Sequence, residues 1–468
     1  MDVHKRSVLK KIQDYLQLDS HEVIKLLYSS MAFFFIIAAY SVLRSLKTSV
    51  FLGFVGREYE PISKFLSILV IIPAMVILAK ITDRFKTHRV VYCFLGFYAV
   101  LATIFTFIFA HPTYGILNTQ TSPWRLVGWA FEISMDLFQA LVVGTFWSFL
   151  NSTSTPIFAR KSYGFIVAGS RIGGITSCLV AWLILEKTSF PGHITIPFFT
   201  FGAALCIALA VLCIHMINTK VPSTHMHGYE AAYQTDLKRE KQKQKTNVFE
   251  GLRLLLVEPY VLGILVLVFG YEIINIIFDY QMHVLMSIET HNQVAAMSAF
   301  MLLYTGTFQF MSFIFAIFGT STILKHVGVK ASLLIMPLVT LVLSIIPIFY
   351  PKLIIFFIIM VVLRALNYGF NHPLREILFI PTTKDIRFKS KAWIESFGRT
   401  LSKSTGSTFN YIMTFFASSY VCVIAASVIS GIVTIIWAFT ALLVGKKYTQ
   451  TIADNVVIGT QNELDKQA

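Results

Sequence analysis

The chain has 468 residues, 56 % of them hydrophobic and only 13 % charged, where soluble domains carry ~25 % charged residues. That composition excludes a soluble globular protein and predicts a polytopic membrane protein. The formal charge of +15, from 39 Lys and Arg against 24 Asp and Glu, must reside in loops, tails or a polar cavity, because the bilayer core excludes unpaired ions; nucleic acid is a poor explanation for it.

Met1 to Glu22 is polar and basic, with Lys5, Arg6, Lys10 and Lys11. It lacks an apolar core beside a small-residue cleavage site, so it does not read as a secretory signal. The first apolar run extends from Ile24 to Leu52, and further runs begin near Pro61, Arg89, Trp124, Tyr163 and Ile194, each of ~20 residues or more and long enough to cross the hydrocarbon core. A polar stretch from Asn218 to Glu250, carrying KREKQKQK from Lys238 to Lys245, separates these six from six more that start near Tyr260, Ala295, Ala331, Leu353, Lys391 and Ser419. The expectation is an all-α protein of twelve transmembrane helices: an N-terminal segment 1–23, a six-helix bundle 24–217, a linker 218–250, a second six-helix bundle 251–446 and a tail 447–468. The dense basic clusters, among them Arg84 with Lys86 and Arg89, Lys238 to Lys245, and Lys446 with Lys447, all fall on the face shared with the N-terminus. By the positive-inside rule both termini and the linker are cytoplasmic. The five cysteines lie in apolar runs without metal-ligand spacing and read as small packing residues.

At an offset of 230 residues, Lys161 to Ser177 (KSYGFIVAGSRIGGITS) lies opposite Lys391 to Ser407 (KAWIESFGRTLSKSTGS). Each segment opens with Lys followed by an aromatic two residues on, and each closes in small residues ending in Ser. Two parallel six-helix repeats are the major-facilitator-like arrangement, with the substrate site at mid-membrane between the halves. Gly169, Gly173 and Gly174, at small-xxx-small spacing, read as a helix-packing surface. Gly398 and Lys403-Ser404 lack the Gly before Lys and the strand-to-helix setting of a phosphate loop. With no HExxH, GxSxG or paired Cys/His spacing either, the sequence offers no catalytic residues, metal site or cofactor site.

The remaining candidates are ionisable residues inside apolar runs: Arg44, Lys47, Glu132, Asp136, Arg171, Asp279, Arg364, Glu395, Arg399 and Lys403. Such residues are expensive in a bilayer and are functional candidates by default. Arg44 with Lys47 in the first run, and Arg399 with Lys403 in the eleventh, share a helix face at three or four residues. Each pair repels itself unless an anion or a carboxylate sits between its members. The segment from Arg364 to Ser407 gathers nine Lys, Arg and His residues, so the expected ligand is an anion.

YSVLRSLKTSVFL, FWSFLNSTSTPIFARKSYGF and ALNYGFNHPLREILFIPTTKDIRFKSKAWIESFGRTLSKSTGS resemble the nucleotide transporter (ATP/ADP translocase) family of plastids and obligate intracellular bacteria, over nearly the whole chain. The resemblance implies a twelve-helix antiporter of the inner membrane that exchanges nucleotides without hydrolysis. ATP, ADP, GTP or similar nucleotides would be its substrates, with phosphate a further co-substrate, membrane lipid its surroundings and nothing requiring more than a monomer. Carried over by position, the family's first-helix lysine corresponds to Lys47, its seventh-helix glutamate to Asp279 and its eleventh-helix lysine to Lys403. The fourth-helix glutamate falls in register on Met135, with Asp136 as the neighbouring candidate. In the tenth helix, Asn367 stands where the family carries Lys before Tyr368, and His372 where it carries Asp before Pro; both departures bear on which nucleotide is taken. Arg44 and Arg399 are supporting phosphate ligands on this reading, and Asp279 is expected to pair with one of the lysines when the site is empty. An empty cavity left positively charged would cross poorly, the physical basis expected for obligatory exchange. The alternative is a proton-coupled carrier of another nucleotide or organic anion, with Asp136 or Asp279 as the protonated group.

Overall fold

The computed structural model of the protein describes residues 18–459 except 86, 189, 223–224, 227–247, 317–319, 384–385, 387–389 and 417–418. Most of the N-terminal segment, the basic run Lys238 to Lys245 and the end of the tail lie outside the described residues.

The described chain is helical. α1 (Ser20–Phe54) starts at a capping box in which the Asp19 side chain accepts from the His21 amide at 2.9 Å and Glu22 accepts from the Asp19 amide at 3.2 Å. The cap lets the helix begin ahead of the apolar run. α2 (Glu60–Arg84) and α3 (Thr87–Ala110) come next. α4 (Leu126–Phe138) passes through a π-helical turn, Gln139–Val143, into α5 (Gly144–Thr153). α6 (Pro156–Lys187) begins with Thr155 accepting from the Phe158 amide at 3.2 Å and with Pro156 in the first turn, where its missing N–H costs nothing. α7 (Gly192–Lys220) completes the first half.

The second half contains α8 (Val248–Val257), α9 (Pro259–Glu289), α10 (Val294–Ile314) and α11 (Thr320–Phe349). α11 is interrupted at Gly328, whose φ of 76° suits glycine without strain. α12 (Leu353–Leu366) runs through a π turn, Asn367–Asn371, into α13 (His372–Leu378). α14 (Lys391–Trp393), a π turn Ile394–Gly398 and α15 (Arg399–Met413) form the next helix, and α16 (Ser419–Ala453) is the last.

Among the described residues, eleven helices are long and apolar enough to span a membrane. The predicted span beginning at Lys391 is present as a helix, but Lys391, Glu395, Arg399 and Lys403 leave it too polar to qualify on composition. These charges, with Ser402, Ser404, Thr405, Ser407, Thr408 and Asn410, set this helix apart from the eleven apolar ones.

The helices gather into two compact units: residues 1–56, 69–244 and 292–306 in one, and 57–68, 245–291 and 307–468 in the other. Side chains explain the two short exchanges. Ser45 of α1 donates to Met301 O at 3.3 Å and to Thr305 Oγ1 at 2.9 Å, which draws the start of α10 into the first unit. Glu60, at the start of α2, holds His283 of α9 at 2.8 Å, which draws 57–68 into the second.

In the first unit α1 is central and packs against α4, α6 and α7. The glycines of α6 make its approach possible. A Cβ on Gly173 would press into the Phe34 backbone, with Phe34 C at 3.0 Å and Cα at 3.1 Å, whereas one on Gly169 would meet Ser30 at an ordinary 3.5 Å. The helix-packing reading therefore holds at Gly173. In the second unit α9 packs against α12, α15 and α16.

Gly173→Ala is expected to destabilise the protein by ~1–3 kcal/mol through overpacking, seen as a lowered melting temperature in detergent. Gly169→Ala is expected to melt close to wild type, since its new methyl meets ordinary van der Waals contact.

Candidate functional site

The first unit buries a lysine. Lys47, 7 % exposed, lies on α1 with its ammonium 3.0 Å from Glu132 Oε1 and in direct contact with Asp136 Oδ1. Glu132 and Asp136 are four residues apart on α4, so one helix face presents both carboxylates to α1. Glu132 is 1 % exposed on its side chain and Asp136 28 %. Removing one partner of a buried ion pair leaves an uncompensated charge and costs ~3–5 kcal/mol; Asp136, partly solvated, contributes less.

The fourth-helix reading is thereby sharpened. Met135, the residue in register, is buried packing, while Asp136 and Glu132 together provide the carboxylates. Lys47 does not snorkel to the surface because its counter-ions sit beside it. Arg44, one turn earlier and half-buried, has its guanidinium carbon 5.9 Å from the Tyr40 ring. Tyr40 stacks on Phe138 at 5.4 Å and donates to Gln139 Oε1 at 3.2 Å, next to the π turn after α4. Arg171 of α6 is also half-buried.

The second unit holds two ionic groups. Asp279 of α9 pairs with Arg364 of α12 at 2.9 Å, and Arg364 Nε donates to Asn275 Oδ1 at 3.3 Å. On the other side Asp279 Oδ1 lies 3.7 Å from His283 Nε2, and His283 Nδ1 is 2.8 Å from Glu60 Oε1. The expected lysine partner for Asp279 is thus replaced by an arginine. The cause is tertiary: α12 packs on α9 and brings Arg364 Nη2 to one Asp279 oxygen while its Nε reaches Asn275.

The other group centres on Arg399 at the start of α15, 2.8 Å from Glu395 and 3.7 Å from Glu272 of α9. Lys403, one turn further along, is exposed, and among the described residues it carries no ion pair. Asn367 is buried in the π turn of the tenth span and accepts from Asn371 at 3.1 Å. Tyr368 beside it is exposed and stacks on Phe308 at 6.3 Å.

Nearby, His372, Glu376 and Glu395 bring three ligand atoms within 4.8 Å of one another. Glu376 is held by Lys391 at 2.5 Å and Glu395 by Arg399, so the trio is part of an ion-pair network and not a vacant donor set.

Glu60, Glu272 and His283 escaped the sequence reading. Glu272 and His283 lie inside the same apolar run as Asp279, and the rule that singled out Asp279 applies equally to them.

Glu132→Gln is expected to lower the melting temperature clearly, and Asp136→Asn distinctly less, because the first leaves Lys47 short of its fully buried partner. Thermal unfolding of the purified proteins in one detergent reads the order directly.

The chain is 24 % identical to "ADP,ATP carrier protein 1" of Rickettsia bellii over 94 % of its own length and 96 % of that protein's. It is 23 % identical to "ADP,ATP carrier protein 1" of Chlamydia muridarum over 85 % and 83 % respectively. Among solved structures it is similar in fold to the nucleoside transporter NupG, with a TM-score of 0.56 at 15 % identity, covering 90 % of this chain and 99 % of that one. A D-xylose-proton symporter also scores 0.56, at 14 % identity over 91 % and 96 %. The fold is therefore that of major-facilitator-type transporters. The "TLC ATP/ADP transporter" family matches residues 3–448, and a chain matched over that extent belongs to that family of transporters.

Proposed function

We propose that the protein exchanges nucleoside tri- and diphosphates across a cell inner membrane by alternating access, without hydrolysis. One observation carries the site assignment: a lysine buried in the first unit whose ionic partners, among the described residues, are two carboxylates of one helix. A phosphate chain offers the same ammonium the same kind of oxygen at higher charge, so Lys47 is poised to exchange one anion for another. Lys403, exposed, with Arg399 one turn away, gives the second unit its own phosphate ligands; Arg supplies a bidentate fork and Lys a point charge. Arg44 supports Lys47 on α1. Asn367 and Tyr368 are the candidates for the nucleoside end, through an amide and an exposed ring.

Within the first unit, Lys47, Glu132 and Asp136 together carry a net charge of 1 − 2 = −1 when all are ionised, so this trio by itself leaves no excess positive charge. Obligatory exchange then rests on competition: while the carboxylates hold Lys47, the site is locked in an ion pair, and arriving phosphate breaks it.

The same carboxylates favour a second reading, import coupled to protons. Asp136, partly exposed beside a buried cation, is the carboxylate of this pair that a proton from solvent would reach. Counterflow separates the two. Proteoliposomes loaded with ADP should take up labelled ATP, empty ones should not, and a protonophore should leave the rate unchanged. Uptake into empty vesicles that collapses with the pH gradient would establish the proton-coupled carrier instead.

The organisation that goes with this function is two six-helix bundles, 24–217 and 251–446, around a cytoplasmic linker, in a monomer whose exposed apolar residues such as Leu69, Phe107 and Phe439 face lipid. Free phosphate accompanies ADP as a co-substrate. A reporter fused after Ala468 should be active only in the cytoplasm; periplasmic activity would reverse the topology.

Lys47→Gln and Lys403→Gln are each expected to weaken nucleotide uptake by about ten- to a hundredfold, the size of one charge-assisted hydrogen bond. Lys446→Gln, an exposed position on α16, should transport at the wild-type rate. Retention of full uptake by both site variants would remove these lysines from the site.

A further inference from the structure

Arg375 is a deeply sealed cation of the second unit. It lies on α13, is 4 % exposed, and among the described residues neither Nη1 nor Nη2 has a hydrogen-bond partner. An arginine does not shed its proton to escape this situation, and a buried charge without matched hydrogen bonds is costly. The carboxylates in its neighbourhood are engaged elsewhere. Glu395 holds Arg399 at 2.8 Å, Glu272 faces Arg399 at 3.7 Å, and Glu376 holds Lys391 at 2.5 Å. Glu272, Glu395, Arg399 and Tyr271 all lie within electrostatic range of Arg375, so the carboxylates temper its charge, but none accepts from its terminal nitrogens. His372, one turn earlier on α13, feels the same group of charges.

Two features of the backbone mark the place. The π turn Asn367–Asn371 leads directly into α13, and the π turn Ile394–Gly398 leads directly into Arg399. π-bulges are rare and concentrate at functional sites, and each shifts the helical register of the residues beyond it. Here one sets the direction of Arg375 and the other that of Arg399, and the two guanidinium groups feel each other's charge.

We propose that Arg375, together with Arg399, is a phosphate-oxyanion ligand of this carrier. The ligand is a tetrahedral phosphate group, either the terminal phosphate of the nucleotide or free inorganic phosphate. A guanidinium fork accommodates two oxygens of such a group at once, which gives both unmatched nitrogens an acceptor. In this conformation the fork is closed off from solvent, so the phosphate reaches it when α13 or the Ile394–Gly398 turn shifts. The inference rests on the nucleotide-exchange reading and adds to it a further phosphate ligand, outside the lysines.

The test uses the full-length protein in ADP-loaded proteoliposomes, as wild type, Arg375→Gln and Arg375→Lys. Initial rates are measured for labelled ATP, and for labelled inorganic phosphate in parallel. If the fork holds the nucleotide's terminal phosphate, Arg375→Gln raises the KM for ATP by about tenfold or more with a smaller change in kcat, and Arg375→Lys recovers part of the loss. If it holds free phosphate, the KM for ATP stays put and phosphate uptake is lost in both variants. If Arg375→Gln does not fold, Arg375→Lys carries the comparison, supported by the rise in melting temperature that ATP or phosphate gives each purified protein. Variants that melt lower than wild type yet keep its KM for ATP and its phosphate uptake overturn the inference and make Arg375 a structural residue. A wild type that transports neither nucleotide nor phosphate overturns the exchange reading, and this inference with it.

Discussion

A lysine ammonium inside an apolar bundle is stable only beside anions, and the first unit is arranged to provide them. Lys47 sits in the C-terminal part of α1, the helix against which α4, α6 and α7 pack. The glycine face of α6 lets one wall come close, and α4 brings Glu132 and Asp136 to the ammonium from another. The π turn after α4 begins just beyond Asp136, so the carboxylate pair occupies the end of the regular helix before its register changes. In the second unit the same logic recurs with other residues: Asp279 is matched to Arg364, and Glu272 and Glu395 to Arg399. Each of these carboxylates offers its cation the kind of oxygen a phosphate would bring.

The distribution of burial then divides the cations by role. Lys47, Arg364 and Arg399 are held by carboxylates, and taking a phosphate means giving up a protein partner. Lys403 is exposed, without an ion pair among the described residues, and under the proposed function it would meet an incoming phosphate without that cost. A carrier needs both kinds: accessible charge to attract the ligand, and buried pairs whose rearrangement binding can drive. Binding energy shifts a conformational equilibrium only to the extent that the ligand interacts differently with the two states, and exchanging a carboxylate for a phosphate is such a difference.

Much of this was readable from one dimension. Apolar runs located the spans because a bilayer requires ~20 such residues in sequence; the start of α1 at Ser20 escaped hydropathy because it depends on the polar capping box at Asp19 and Glu22. Lys47, Asp279 and Lys403 were recognisable from the family motifs. The partners were not. A linear register selects one fourth-helix residue, whereas the fold uses two at a spacing of four, and Arg364 reaches Asp279 only because α12 packs on α9. The π turns at Gln139–Val143, Asn367–Asn371 and Ile394–Gly398 leave no mark in composition, yet each adjoins a helix that carries part of an ionic group. Arg375 lay in plain view in NHPLREILF, and only its burial, with Nη1 and Nη2 unmatched among the described residues, set it apart.

On the proposed reading, competition between the α4 carboxylates and phosphate for Lys47 is the step on which exchange turns. Equilibrium binding of ATP to the purified protein, compared between wild type and Asp136→Asn, tests it most directly, since this substitution removes the less buried competitor and leaves the ammonium and Glu132 in place. Asp136→Asn is expected to bind ATP more tightly than wild type, with the gain abolished when Lys47→Gln is added. Weaker binding by Asp136→Asn, or a gain that survives loss of Lys47, would contradict it.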